Sequence, residues 1–332
     1  MKALVLEKFG SIAGNPLRIA DVRIPEPGPG ELLIGVSVCG ICHTDLHTVE
    51  GDLPDVKLPI VPGHQVVGRV DDLGRGASRF RLGDRVGIAW LHWACGKCRF
   101  CLSGNENLCL EAKFTGYHVN GGYAQYLTVP ERFGYAIPDA FSDKEAAPLL
   151  CAGIIGYRAL RLSGFKPGET LGLYGFGASA HIAIQVAIHQ GASVFVFSRS
   201  EKHRELARKL GASWTGSVRE APPARTMSAV VFAPAGGLVL DALRNTESGG
   251  TVALAGITMT PIPEMDYEKY IYHERTLRSV ANATRWDGEE LLKIAAEIPI
   301  RATTEPFPLG EANLALRRLK EGLITGAGVL MA

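Results

Sequence analysis

Short β-like runs alternate with turn-rich punctuation from the first residue to position 150. Ala3–Leu6, Leu32–Val38, Gln65–Val70, Arg85–Ile88 and Gly122–Val129 are separated by segments such as PEPGPGE, DLPDVKLPIVPG and GRGASRFRLGD. That spacing predicts an irregular antiparallel barrel. The segment FSDKEAAPLLCAGIIGYRALRLSGFKPGE then predicts a helix, with Ser142 capping a turn that carries Asp143 and Glu145, and Gly164 to Gly168 as its stop. In TLGLYGFGASAHIAIQVAIHQGASVFVFSRSEKHRELARKLGA an apolar strand, a glycine turn, an apolar helix, a second strand and a polar helix follow one another, the pattern of a βαβ unit. The runs SAVVFAP, GGTVALAG and TLRSVAN extend the parallel sheet. Beyond Asn282, an amphipathic helix (DGEELLKIAAEI), a short strand (ATTEPFPL) and a last helix (GEANLALRRLKEG) complete the pattern, with no internal repeat or low-complexity tract.

Composition narrows the function. The 332 residues are 46% hydrophobic and 21% charged with 39 glycines, which suits a globular protein of two domains. Thirty-five basic against 34 acidic side chains leave a net charge of +1, so no large electrostatic term favours nucleic acid or an anionic membrane, and partners are expected to be small or uncharged. The N-terminal apolar run is shorter than a signal-peptide core and no stretch reaches bilayer length, so a cytoplasmic location is expected. Five of the seven cysteines fall between Cys39 and Cys101 beside histidines, a clustering that in a reducing compartment points to metal.

The densest cluster is CGKCRFCLSGNENLC, with Cys95, Cys98, Cys101 and Cys109. Two-residue gaps turn neighbouring thiolates toward one centre, and the longer lobe brings the fourth round to close a tetrahedron about Zn²⁺. Four thiolates leave no open position, so this zinc is structural. Three thiols remain: Cys39 and Cys42 in CGICHTD, and Cys151. A catalytic zinc needs three protein ligands and one position for substrate or water, and two thiolates with one imidazole form a known catalytic set. The available imidazole is His64, in PGHQVVG. Were all three thiols to join it, the site would be closed, so one stands aside.

CHTDLH, PGH, the four-cysteine lobe, LLCAG and GFGASA occur in the order and at the spacing of the zinc-dependent alcohol dehydrogenases of the medium-chain dehydrogenase/reductase superfamily, which the whole chain resembles. The resemblance implies an α/β protein: a GroES-like irregular β-barrel catalytic domain over residues 1–151, a Rossmann doubly wound domain over 152–283, and a return to the catalytic domain over 284–332. It implies that Cys42, His64 and Cys151 bind the catalytic zinc and that Cys39 is the bystander. Asp45 suits the carboxylate that fixes a ligating imidazole's tautomer. Thr44 and His47 resemble the family's proton relay, the threonine hydroxyl handing the alcohol proton toward a cofactor ribose hydroxyl and the histidine passing it to water. His43 takes the position of a basic pyrophosphate contact.

In LGLYGFGASAH, Gly175 makes the tight turn after the strand Leu171–Tyr174. Gly177 admits a pyrophosphate to a helix N-terminus, where Ala178 and Ser179 also bind cofactor, and Ala180 takes the third, packing position. The second strand is followed by Ser198 and Arg199 instead of the acid that holds an NAD ribose. NADP(H) is therefore favoured over NAD(H), with His203 as an additional contact. The expected reaction is interconversion of alcohols with aldehydes or ketones, zinc acting as Lewis acid, in a homodimer or homotetramer. Leu53, Trp90, Leu91 and Trp93 are candidates for an apolar substrate wall. Gln65 departs from the family's usual glutamate and leaves less negative charge near the metal. Ile155 stands where a threonine is common, and TGAGVL lacks a basic residue. The rival readings are a zinc-independent reductase of activated double bonds and a non-enzymatic, zinc-stapled nucleotide-binding protein.

Overall fold

The run ELLIGVSVCG forms the strand Glu31–Gly40, on which the rest of its sheet is built. In the computed structural model, which describes residues 1–298 and 300–332, this strand pairs along its length with Gln65–Leu73. Its other edge is shared: residues 31–35 pair with Tyr126–Pro130, and residues 38–40 with Ala327–Met331. The seven-stranded sheet runs Thr304–Pro308, Ala327–Met331, Glu31–Gly40, Gln65–Leu73, Arg85–Ile88 and Gly134–Ala136, with Tyr126–Pro130 as the seventh member. All pairings are antiparallel except that of Thr304–Pro308 with Ala327–Met331. Thr304–Pro308 contains two prolines and lies at an edge, where a missing N–H costs no ladder bond. This sheet belongs to a compact unit of Met1–Cys151 and Thr284–Ala332, and Ala152–Ala283 form a second.

The second unit holds a six-stranded parallel sheet in the order Trp214–Gly216, Ser193–Phe197, Thr170–Tyr174, Thr226–Val231, Thr246–Leu254, Thr276–Ser279. Numbered along the chain, that order is 3-2-1-4-5-6, the Rossmann arrangement, whose direction reverses between Thr170–Tyr174 and Thr226–Val231. The central strands Ser193–Phe197, Thr170–Tyr174 and Thr226–Val231 are mostly apolar and buried, as strands covered on both faces must be, and Tyr174 stacks on Phe197 at 4.2 Å within their core.

Three sequence expectations change in detail. The strand expected over Gly122–Val129 begins at Tyr126, because Gly122 and Tyr123 donate instead to the Gly63 and Pro62 carbonyls. The helix expected after Ser142 is interrupted: Asp143–Ala146 is α-helical, Ala147–Leu150 is a 3-10 turn, and Cys151 has φ −134° and ψ −69° before the helix Ala152–Leu162. Pro148 lacks the N–H that a continuous helix would need there. The strand Ala327–Met331, within the stretch noted only for lacking a basic residue, is an addition. Among the described residues no helix is long and apolar enough to cross a membrane.

Candidate metal clusters and dinucleotide turn

Where the strand Glu31–Gly40 ends, Cys42 caps the helix His43–Glu50. The Thr44 N–H donates to Cys42 Sγ at 3.3 Å, and the Cys42 N–H donates to Asp45 Oδ2 at 2.8 Å. The capping pair thus delivers a sulfur and a carboxylate to the same place. His64 arrives from the turn before Gln65–Leu73: its Nδ1 lies 2.9 Å from Asp45 Oδ1, and its Nε2 lies 3.3 Å from Cys42 Sγ and 3.4 Å from Cys151 Sγ. His64 and Asp45 are buried, so no water competes for this contact.

Charge is concentrated here. Burial works against a charged His64, but the neighbouring Asp45 and Cys42 outweigh it and push the imidazole up to about 10. A hydrogen bond from Cys151 leads the effects that hold the Cys42 thiol well below its ordinary value; that same bond, with burial, raises Cys151. Burial raises Asp45. Cys39 differs: it is buried, burial pushes its thiol well up, and it donates to the Gly40 carbonyl at 3.5 Å.

The donor set fits zinc. Tetrahedral bonds of about 2.3 Å to sulfur and about 2.0 Å to nitrogen space donors roughly 3.5 Å apart for sulfur and nitrogen, and roughly 3.8 Å apart for two sulfurs. Cys42, His64 and Cys151 bring their donor atoms within 4.8 Å of one another, as do Cys95, Cys98, Cys101 and Cys109. In the second cluster Cys101 Sγ lies 3.6 Å from Cys98 Sγ and 3.9 Å from Cys95 Sγ. Backbone N–H groups converge on these sulfurs too, Cys98 N donating to Cys95 Sγ at 3.3 Å. Leu102 and Leu110 of this lobe are largely exposed, at 76% and 93%, so the lobe has little core of its own.

Around the first cluster, Thr44 is buried and His47 half-buried, one turn apart on the same helix face. His43 is exposed. Gln65 is buried over Gly40, its amide nitrogen without a hydrogen-bond partner among the described residues. Of the four wall candidates, Trp90 sets its ring edge-on to His64 at 4.8 Å and stacks on Phe114 at 5.2 Å. Leu91 is buried, Leu53 is half-buried, and Trp93 lies under the Arg132 guanidinium at 5.9 Å. Phe114, Tyr117 and Asp52, the carboxylate at His47 Nδ1, are site residues that the sequence reading missed.

In the other unit, Gly175 has φ +89° at the sheet's reversal point, where a Cβ would lie 2.9 Å from the Ala233 backbone nitrogen. Gly177 caps Ala178–His189 without a side-chain cap bond, and a Cβ there would meet open space. The first N–H groups of that helix are therefore presented beside an open cradle, which fits a pyrophosphate. Ala180 is buried, and Ser179 and Ile155 are half-buried. Ser198 is buried, its carbonyl held by Arg204 Nη1 at 2.7 Å, while Arg199 is exposed and His203 half-buried.

Residues 28–139 match the family described as the alcohol dehydrogenase GroES-like domain, and residues 180–297 the one described as zinc-binding dehydrogenase. The chain is 46% identical over 336 residues to the probable alcohol dehydrogenase AdhA of Mycobacterium tuberculosis (strain CDC 1551 / Oshkosh), covering all of this chain and 97% of that protein. It is 37% identical over 339 residues to an alcohol dehydrogenase of Geobacillus stearothermophilus, covering 99% of each. Among solved structures, the cinnamyl alcohol dehydrogenase SbCAD4 of Sorghum bicolor superposes with a TM-score of 0.90 at 28% identity, over 99% of this chain and 97% of that one. An NAD-dependent alcohol dehydrogenase superposes with a TM-score of 0.92 at 26% identity, over the full length of both.

Proposed function

Because the chain belongs to the zinc-type alcohol dehydrogenases of the medium-chain dehydrogenase/reductase superfamily, and is an enzyme that interconverts alcohols with aldehydes or ketones, we propose the following division of labour among its residues. Cys42, His64 and Cys151 hold a catalytic zinc; Cys95, Cys98, Cys101 and Cys109 hold a structural one. The observation that carries this reading is His64, whose Nδ1 is committed to Asp45 while its Nε2 faces two sulfurs at 3.3 and 3.4 Å. When bound, the zinc supplies a Lewis acid for the substrate oxygen, and the nicotinamide dinucleotide supplies or accepts the hydride.

The chain's own residues do the rest. Asp45 fixes the His64 tautomer so that Nε2 is the donor. Trp90, braced by Phe114, gives His64 an apolar neighbour that keeps water from its ring. The Thr44 hydroxyl accepts the alcohol's proton as it hands its own hydrogen onward, and His47 passes the proton to water, both steps reversing for carbonyl reduction. His43 contacts the cofactor pyrophosphate. The amides from Gly177 to Ala180 cradle the phosphates, with Gly175 making the turn. Ser198, Arg199 and His203 favour the 2′-phosphate of NADP(H), since a carboxylate that would repel it is absent from the end of Ser193–Phe197. A homodimer or homotetramer in the cytoplasm completes the proposal.

Zinc content measured together with activity tests the ligand assignment. Cys39→Ser is expected to keep two zinc ions and turnover; Cys42→Ser is expected to lose one zinc and nearly all rate. Two zinc ions retained in Cys42→Ser would overturn it. Arg199→Ala is expected to lower kcat/KM for NADPH by about 10-fold with little change for NADH; a wild-type preference for NADH would end the cofactor proposal.

A further inference from the structure

The second strand along the chain of the parallel sheet ends at Phe197, and the turn of residues 198–200 leads from it into the helix Glu201–Lys209. Most polar groups of that turn are already claimed. The Ser198 N–H donates to the Gly216 carbonyl at 2.9 Å, and the Ser198 carbonyl accepts from Arg204 Nη1 at 2.7 Å. Ser198 Oγ accepts from the Ser200 N–H at 3.3 Å, and Ser200 Oγ accepts from the His203 N–H at 3.4 Å. A hydroxyl that accepts from the backbone keeps its own hydrogen to give, so both serines stand as donors.

One guanidinium ties this turn to the first acid of the helix. While Arg204 Nη1 grips the Ser198 carbonyl, its Nε donates to Glu201 Oε2 at 3.0 Å and its Nη2 donates to the same oxygen. The other Glu201 oxygen accepts from Arg208 Nη1 and Nη2, both at 3.0 Å, and Arg208 Nε donates to Thr215 Oγ1 at 3.0 Å on the neighbouring strand. Hydrogen bonds from Arg204, then from Arg208, hold the Glu201 carboxyl below its ordinary value. Exposed ion pairs add little stability, and the Glu201 and Arg208 side chains are 53% and 51% exposed. Arg204 is only 20% exposed and spans two partners, so its consequence is orientation. The other acid near the turn, Glu220 beside Gly216, is engaged by the Ser217 N–H at 2.8 Å.

We propose that Arg204 is a positioning residue for cofactor choice: it keeps the Glu201 carboxylate bound and the turn of residues 198–200 fixed, so that two hydroxyls and not an acid meet the 2′-phosphate of NADP(H). The inference rests on the NADP(H) reading of Ser198, Arg199 and His203 given above. In this fold an acid beyond the second strand selects the ribose hydroxyls of NAD. This chain carries an acid there in Glu201, and Arg204 withholds it. A lysine would keep the charge, but its single ammonium lacks the planar fork that holds carbonyl and carboxylate together.

Equilibrium binding to the full-length protein tests this without turnover, using adenosine 2′,5′-bisphosphate and 5′-AMP, probes that differ by the 2′-phosphate alone. Arg204→Ala is expected to weaken the bisphosphate about 10-fold and 5′-AMP less than about 2-fold. Arg204→Lys is expected to lose nearly as much. Adding Glu201→Gln to Arg204→Ala is expected to recover about 3-fold, because the released carboxylate is then gone. Wild-type bisphosphate affinity in Arg204→Ala overturns the proposal, and so does wild-type affinity in Arg204→Lys, which would show that charge alone suffices. An equal loss of both probes, or no recovery in the double variant, also overturns it; all of these leave the NADP(H) reading standing. A wild-type protein that binds the bisphosphate no more tightly than 5′-AMP sinks that reading and the proposal with it.

Discussion

Gly63 has φ +97°, and a Cβ there would lie 2.3 Å from Tyr123 Cδ1 and 2.8 Å from Cys39 Sγ. The turn that delivers His64 closes only because this position has no side chain. Gly63→Ala is therefore expected to destabilise the protein by at least about 2 kcal/mol and to lose the zinc proposed at His64 while keeping the one proposed in the lobe, as denaturant titration and metal analysis would show. A variant that retains both metals would mean the turn relaxes freely. At this scale the sequence is informative where chemistry is local. The lobe cysteines converge through short turns, so their spacing alone implies a shared centre. Cys39 and Cys42 are less separable, since each is one residue of the same CGIC; the geometry that parts them is a strand end, with Cys39 paired to Val66 and Leu330 in the sheet. Phe114 and Tyr117 leave no trace beside Trp90 because they reach it only through tertiary approach.

Between elements, the link of most consequence within the first unit joins the cysteine lobe to the helix Arg285–Glu297. Arg285 donates from its backbone N and its Nε to Glu106 Oε1, both at 2.9 Å, and its guanidinium covers Phe133 at 4.7 Å. Burial opposes the Glu106 charge, but hydrogen bonds and the charge of Arg285 win and hold its carboxyl below the ordinary 4.5. A depressed folded value means the unfolded chain takes up the proton first. The stabilisation is therefore complete above pH 4.5 and vanishes as pH falls through the folded value. Glu106→Gln is expected to cost about 2 kcal/mol at pH 7, with the gap to wild type closing in acid. A gap unchanged down to pH 3, on the order of a unit below an ordinary carboxyl, would assign the cost to packing. Neither partner of this pair stands out in sequence, because 179 residues separate them. The central parallel strands, by contrast, are legible as apolar runs, whereas the 3-10 turn Ala147–Leu150 and the break at Cys151 are not.

For the molecule as a whole, the two zinc ions proposed above, with different duties, imply two different losses. Cys101→Ser is expected to bind one zinc instead of two and to melt at lower temperature, while hydride transfer per remaining zinc stays near wild type. Melting unchanged from wild type would show that the lobe, with its exposed Leu102 and Leu110, is held by the Glu106 contact alone.

The strand Ala327–Met331 lies beside Cys39 in the central sheet, yet it follows in the chain the whole of the unit Ala152–Ala283. During synthesis the parallel-sheet unit emerges uninterrupted, while the strand leading to Cys42 waits with one edge partly uncovered. The nascent polypeptide thus carries reactive sulfur in an unfinished β-structure for the time that the roughly 180 residues from Ala152 to Met331, at about 5–20 per second, take to leave the ribosome. If the proposed ions are not captured in that interval, a cell short of zinc or rich in oxidant would damage this enzyme as it is being made more readily than after it is finished.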